Sequence, residues 1–449
     1  MRKVFLFEQN EYLAEEISEK TMSVLIANRI DVEKRSVYIA PCWESLENRP
    51  PATAHPEVAL GAALAFHRMG AEDVVIGENL VEGVSAVAPL LNAPQRKLLT
   101  SCARLVPLEK KHYVTVKIRK PLVQTEFHVP RRLFMSDINV AVSKMKTNLF
   151  CDVSSSVWNL FLQLPPRERA ALMDDLFNMR LVDVARVRLP DLVVADGVVA
   201  GEGQGPRYPT AVGMKLLVMG PPPETDAVCS HLMGIDPFSV DHLRLITETG
   251  AGTLNVHSIA IENRELLRRR MEFRRAEWGI ENAVAGVRVH GGTKKFCPAG
   301  CVGLVRQALD SLTATQPGGC ARGVDVVVGE PVEPGDFVLS RNALIAGDCA
   351  APYRGKGRFV GGRPPVPEEL EIAVLKACRT NFPAGFGLKY FLAGAFRAPV
   401  AFRAQIARGT AVVNVDGKKA GGFFLWRLMM KSLAYRAKKR LREIFAFSR

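Results

Sequence analysis

The chain has 449 residues, 48% of them hydrophobic, with a mean hydropathy near zero (+0.05). This balance excludes a disordered chain, and no run approaches the roughly 18 uninterrupted apolar residues of a spanning helix. The formal charge is +14, but eight basic residues against Glu443 place half of that excess in 423–449, so a nucleic-acid-binding reading of the whole chain is weak and the tail needs its own explanation.

The apolar run near the N-terminus meets Glu8 at once and is too short for a signal peptide. The expected compartment is therefore the cytoplasm, where the nine cysteines stay reduced.

In chain order, "SVYIA" (36–40) reads as a strand, 55–70 as a helix ending at Gly70, and "DVVIGE" (73–78) as the next strand. Strand, helix and strand within about forty residues suggest a βαβ unit and a largely parallel sheet. "YVTVK" (113–117) and "INVAV" (138–142) add strands, and 164–177 reads as a helix opened by prolines. "DLVVAD" (191–196) is a strand followed by a glycine-rich loop, "GVVAGEGQGPR"; "MKLLVMG" (214–220) is a further strand, and 225–234 a helix stopped by Gly234. The charged segment 262–280 has a helical pattern. A cysteine-bearing part follows: a helix at 302–312, strands at 324–330 and 343–349, the loop "GRFVGGRPPVP", and a helix at 368–378. The reading is an α/β protein with a mostly parallel sheet core (1–290), a smaller cysteine-bearing α/β region (291–378) and a basic extension (379–449) ending in an amphipathic helix.

Open α/β sheets bind ligands at the carboxyl ends of their strands. Lys144 and Lys146 follow one predicted strand; Asp196, then Glu202 among glycines, follow another. Two lysines and two carboxylates suit a phosphorylated or carboxylated ligand, with a divalent cation as a further option. The glycines let backbone amides approach such a group closely. The alternative is a surface loop with ordinary salt bridges. "GEGQGPR" lacks the glycine spacing of a dinucleotide fingerprint.

Four motifs, "PPATAHPEVALGAALAFHRMGAEDVVIGE", "INVAVSKMKTN", "PDLVVADGVVAGEGQGP" and "TDAVCSHLMGIDP", occur in an order that resembles the family called domain of unknown function 362, over roughly residues 35–260. The family's lysine motif reads close to "PKLKTH" with a following lysine–asparagine pair. Lys144, Lys146 and Thr147 match it, whereas Asn148 and Trp158–Asn159 depart from it. Asp196, Gly197, Glu202, Gly203, Gly205, Pro206 and Asp226 fit as they stand. The resemblance implies a fold and a site that includes Asp226, not a reaction; the departures imply a changed ligand or a lost activity.

The resemblance extends to the cysteine region, where members carry a Cys-x-x-x-Cys pair, a "GDC" and a "GCPP", or ferredoxin-type runs, which imply an iron–sulfur cluster. Cys297, Cys301 and Cys349 match; Arg363 stands where the fourth cysteine would be, and Cys320 is a possible substitute.

Read from the residues alone, Cys42, Cys102, Cys151, Cys229 and Cys378 lie in or beside apolar stretches as small core residues. Cys297 and Cys301 flank a turn with Pro298 and Gly300 at a helix N-terminus, which favours thiolate. With Cys349 they form a candidate metal set. Zinc prefers four ligands; a cluster on three thiolates leaves one iron open; the contrary reading is a site that decayed when arginine replaced a ligand.

Three functions remain open: an enzyme or redox protein, a non-catalytic cluster or metal carrier or accessory protein, and, by analogy only, a relative of nickel-dependent hydroxy-acid racemases. In the tail, Leu425, Met429, Leu433, Ala437, Leu441 and Phe445 recur every fourth residue. That stripe, with basic residues opposite, suits an anionic membrane surface or a helix docked on its own domain, with RNA third.

Overall fold

The computed structural model describes residues 2–44, 50–79, 85, 87–281, 283–291, 298–315, 318–320, 323–330, 339–340 and 342–378. Cys297 and the whole basic extension lie outside them.

The first half alternates strand and helix: β1 (Val4–Glu8), α1 (Ala14–Ala27), β2 (Ser36–Pro41), α2 (Pro56–Arg68), β3 (Asp73–Glu78), α3 (Ala93–Cys102) and β4 (Arg104–Pro107). The α2 pattern is apolar nearly all round, and ten of its residues are buried, as expected of a helix covered on both sides. An excursion, β5 (Tyr113–Lys117), β6 (Glu126–Pro130) and α4 (Arg131–Met135), leads into β7 (Ile138–Asn148), β8 (Asp152–Ser154), α5 (Ser156–Leu162), α6 (Pro166–Leu172) and α7 (Phe177–Val187). Then come β9 (Leu192–Gln204), β10 (Tyr208–Val212), β11 (Leu216–Gly220), α8 (Glu224–Leu232), α9 (Asp241–Glu248) and β12 (Ile261–Glu262).

Ten of these strands form one sheet, in the order β12-β1-β11-β9-β7-β2-β3-β4 with β10 on β9 and β8 on β7; β5 and β6 pair separately. The centre, from β9 to β4, is parallel, while β11 runs antiparallel to β1 and β9. β7 is buried along its whole length, which fits a central strand covered on both faces. From β2 the chain moves outward through β3 to β4, then returns to the other side of β2 for β7 and β9. The winding therefore reverses between β2 and β7.

A second sheet is wholly parallel, in the order β13 (Val287–Gly291), β14 (Val324–Val328), β15 (Leu344–Ala346), β16 (Arg358–Val360). It carries α10 (Gly303–Thr315) and α11 (Pro367–Ala377), which pack on one another.

Several segments differ from the sequence reading: β7 continues through Lys144 and Lys146 to Asn148, and the helix read at 164–177 is broken after Leu172. The glycine-rich stretch after Asp196 is not a loop: β9 runs on to Gln204 and turns into β10. The glycines make room for neighbouring chain, since a Cβ on Gly205 would lie 1.8 Å from the Thr147 carbonyl oxygen and one on Gly197 2.5 Å from Met145 Sδ. Segment 262–280 is not one helix; it holds a single short helical stretch at Arg264–Arg269. Its arginines bond instead to separate parts of the first sheet: Arg269 to Glu8, Arg274 to Glu202, Arg275 to Asp152.

Candidate functional site

The parallel register places Lys144 of β7 beside Asp196 of β9. Both side chains have no exposure, and Lys144 Nζ donates to Asp196 Oδ2 at 2.8 Å. The carboxylate also accepts from Tyr12 Oη (3.1 Å) and from the backbone N–H groups of His55 (2.9 Å) and Val198 (3.2 Å). Tyr12 accepts from Lys144 at 3.3 Å and stacks on the His55 ring, with centroids 3.9 Å apart. Burial pushes the Lys144 ammonium down, against the pull of Asp196. Burial, and then the charge of Asp196, hold the Tyr12 phenol far above its ordinary range. Lys144 thus uses two partners among the described residues for three ammonium hydrogens.

A bulge in the β7–β9 register follows Lys144, so Lys146 stands opposite Gly201. Lys146 is also fully buried and donates to Glu44 Oε2 (2.8 Å) and to the carbonyls of Ala52 (2.6 Å) and Pro206 (2.7 Å). The Trp158 indole N–H holds the same Glu44 oxygen at 3.1 Å. Glu44 lies three residues past β2 and Lys146 two residues before the end of β7, so this pair sits where the winding reverses, the place at which open α/β sheets bind ligands. Burial pushes the nearby Cys42 thiol up to about 11, with both lysines and both carboxylates in its field.

Lys144, Lys146 and Asp196 therefore share one buried cluster. Glu202 has a different partner: its carboxylate takes the Arg274 Nε–H at 2.8 Å and the Arg274 backbone N–H at 3.0 Å. Asp226 lies across the sheet. Its oxygens accept from Ser156 N–H (3.0 and 3.1 Å) and Ser156 Oγ–H (2.6 Å). With Ser143, Lys144, Ser155 and Ser230 it lines a cavity of about 10 Å³, room for one water. Burial raises its carboxyl to about 6. The neighbouring His242, held to Ser155 Oγ at 2.9 Å, is lowered by burial to about 4. Tyr12, Glu44 and His55 were missed in the sequence. Glu44, three residues past a strand end, is the one whose position gave a signal.

The β9–β10 arm joins this cluster to the second sheet. Arg207 Nη1 meets Glu371 Oε2 of α11 at 2.6 Å with both side chains buried, Tyr208 Oη donates to Glu371 Oε1 at 3.0 Å, and Gln204 donates to Asp310 of α10 at 3.1 Å.

At the carboxyl edge of the second sheet, Cys301 follows β13 and stands two residues before the start of α10. Cys349 follows β15, and the "GGRPP" loop follows β16. Gly347 has φ +85°, and a Cβ there would lie 2.7 Å from Cys301 Sγ, so the sulfur occupies the space a side chain would fill. The Asp348 and Gly362 backbones bond at 2.9 Å, and Asp348 Oδ1 accepts from Gly362 N–H at 2.8 Å. The Cys301, "GDC" and "GGRPP" segments thus meet in one place. Arg363 is exposed. Cys320 precedes β14, at the amino edge, and its N–H donates to the Ala285 carbonyl. Among the described residues no three His, Cys, Asp or Glu side chains form a metal-holding group.

Fold and site together define a doubly wound α/β protein with a second parallel α/β unit at its carboxyl side. Residues 37–231 match the family model described as domain of unknown function (DUF362), which supports assigning this part of the chain to that family. A search of curated proteins found no match. No helix among the described residues is long and apolar enough to cross a membrane.

Proposed function

We propose that this protein is iron–sulfur dependent and binds a small anionic ligand at the β2–β7 crevice, for redox or maturation chemistry. The observation that carries the reading is the approach of Cys301 Sγ to the Gly347–Cys349 turn, where a Cβ would be 2.7 Å from the sulfur. Cys301 and Cys349, completed by Cys297, would hold the group; when bound, it supplies electron transfer and, with Arg363 in the fourth position, one open iron. The donor set suits the group only as a three-thiolate site. The α10 N-terminus behind Cys301 favours its thiolate, and the Asp348–Gly362 bonds fix the turn that presents Cys349.

At the crevice, Lys144 retains ammonium hydrogen-bonding capacity for an anion, while Asp196 and Tyr12 hold it in position. Ion pairs this deeply buried are weak contributors to stability, and perturbed groups at strand ends mark functional sites. A non-catalytic cluster carrier is the second reading, favoured by the near-complete internal pairing of Lys146.

The test is anaerobic reconstitution with ferrous iron and sulfide, followed by titration with inorganic pyrophosphate. Visible absorption that Cys349→Ser removes, and a pyrophosphate-induced thermal shift that Lys144→Met removes, support the reading. Colourless protein after reconstitution contradicts the cluster; no shift with pyrophosphate, phosphate or a dicarboxylate contradicts the anion site.

A further inference from the structure

The cavity beside Asp226 lies on the face of the first sheet opposite the Lys144–Asp196 pair. Residues of β7, β8 and α8, with Ser155 just before α5, line it. Side chains alternate along a strand, so Ser143 shares with Met145 the β7 face that packs on α8. Met145 joins Ala227 and Val228 there in one apolar cluster, while Lys144 sends its ammonium to the other face. Ser143 is 3% exposed, and its hydroxyl has no hydrogen-bond partner among the described residues. Two further lining hydroxyls are engaged from outside the cavity and keep lone pairs: Ser154 Oγ accepts from Asn148 Nδ2 at 3.1 Å, and Ser230 Oγ donates to the Asp226 carbonyl at 2.8 Å.

Asp226 is also 3% exposed. Its carboxylate is bonded by the N–H and the hydroxyl of Ser156, which are neutral donors, and no cationic side chain among the described residues pairs with it. A charge buried without a counter-charge is costly. The water-sized space therefore stands between an uncompensated carboxylate and an unpartnered hydroxyl.

We propose that this cavity binds a monovalent alkali cation, potassium or sodium, with the Asp226 carboxylate as its charged ligand and the Ser143 hydroxyl oxygen as a second. Size, charge and donor type agree on that class. The space holds one particle of the size of water, so the ion enters bare; magnesium, which keeps several of its waters, does not fit. One carboxylate balances one positive charge. Oxygen donors suit a hard cation. The Cys229 sulfur also lines the cavity, but burial holds its thiol far above the ordinary range, so it stays protonated and offers a soft metal no thiolate. The bound ion would tie β7 to α8 on the face behind Lys144, a site separate from both the crevice and the cysteine edge.

The test follows thermal unfolding of the full-length protein at about pH 8, where the Asp226 carboxyl is ionised. Choline chloride, whose cation is too large to enter, is replaced at constant ionic strength by potassium chloride or sodium chloride. The expected result is a saturable rise of several degrees in the midpoint with potassium, sodium or both. Asp226→Asn keeps the shape and removes the charge, so its midpoint should be the same in all three salts. Ser143→Ala should need a several-fold higher cation concentration for the same rise. Equal wild-type midpoints in the three salts would mean an internal water only and would overturn the proposal. A cation effect that persists undiminished in Asp226→Asn, or a saturation unchanged in Ser143→Ala, would place the ion elsewhere and overturn it too. The wild-type comparison and Ser143→Ala decide the matter even where Asp226→Asn folds poorly.

Discussion

Lys146 Nζ lies 2.8 Å from Glu44 Oε2, and this pair joins the two strands between which the winding of the sheet reverses. Removing one partner leaves an uncompensated buried charge. Glu44→Gln should therefore lower stability by about 3 kcal/mol, while Glu44→Gln with Lys146→Met should recover at least half of that loss. Urea denaturation of both proteins checks it; a double variant no more stable than the single one would mean that the pair is not a closed unit.

Asp226 gives a pH signature. Its folded carboxyl is raised from 3.8 to about 6 by burial, so the folded state holds this proton more tightly than the unfolded state. The resulting stabilisation is present at low pH and lost as pH rises through about 6. Across that window the wild type should lose about 3 kcal/mol relative to Asp226→Asn. His242 acts oppositely: lowered from 6.5 to about 4, it contributes stability above its unfolded value that is lost as pH falls toward about 4. The wild-type profile should thus be flatter than that of Asp226→Asn, which keeps only the His242 limb. Urea midpoints measured between about pH 4 and pH 7.5 test this, and parallel profiles for the two proteins would refute it.

Two glycines one residue apart in the β9–β10 turn should respond differently. Gly203 has open space around a Cβ but φ +79°, so Gly203→Ala should cost about 1 kcal/mol of backbone strain. A Cβ on Gly205 would lie 1.8 Å from the Thr147 carbonyl, so Gly205→Ala should cost about 3 kcal/mol or more, because backbone at the end of β7 must move. Equal costs would contradict the close approach of Gly205 to the Thr147 carbonyl.

The parallel core was legible because most of its strands contain a short β-branched run, and Lys144, Lys146 and Asp196 stood out because charges interrupt those apolar runs, although β7 and β9 continue past them. The arm was not legible: glycines that serve close backbone packing look, in sequence, like glycines that serve a loop. Glu202 was grouped with the lysines by its place after a strand, and Asp226 by the family resemblance. Order does not reveal that Arg274 comes back to take Glu202, nor that α8 packs on the face opposite α2. Tyr12 and His55 reach Asp196 from the loops before α1 and α2, contacts far apart in sequence that no local pattern signals. Among the cysteines, burial in apolar stretches was readable, but the separation of Cys320 from Cys301 and Cys349 depends on which edge of the second sheet each loop leaves.

The central claim is a cluster on the carboxyl edge of the second sheet. Its most direct measurement is iron and acid-labile sulfide per chain in anaerobically purified wild type, Cys301→Ser and Cys320→Ser. The account predicts iron and sulfide in near-equal amounts in the wild type, their loss in Cys301→Ser, and full retention in Cys320→Ser, whose sulfur leaves from the other edge. Iron-free wild type, or loss in Cys320→Ser with retention in Cys301→Ser, would contradict it.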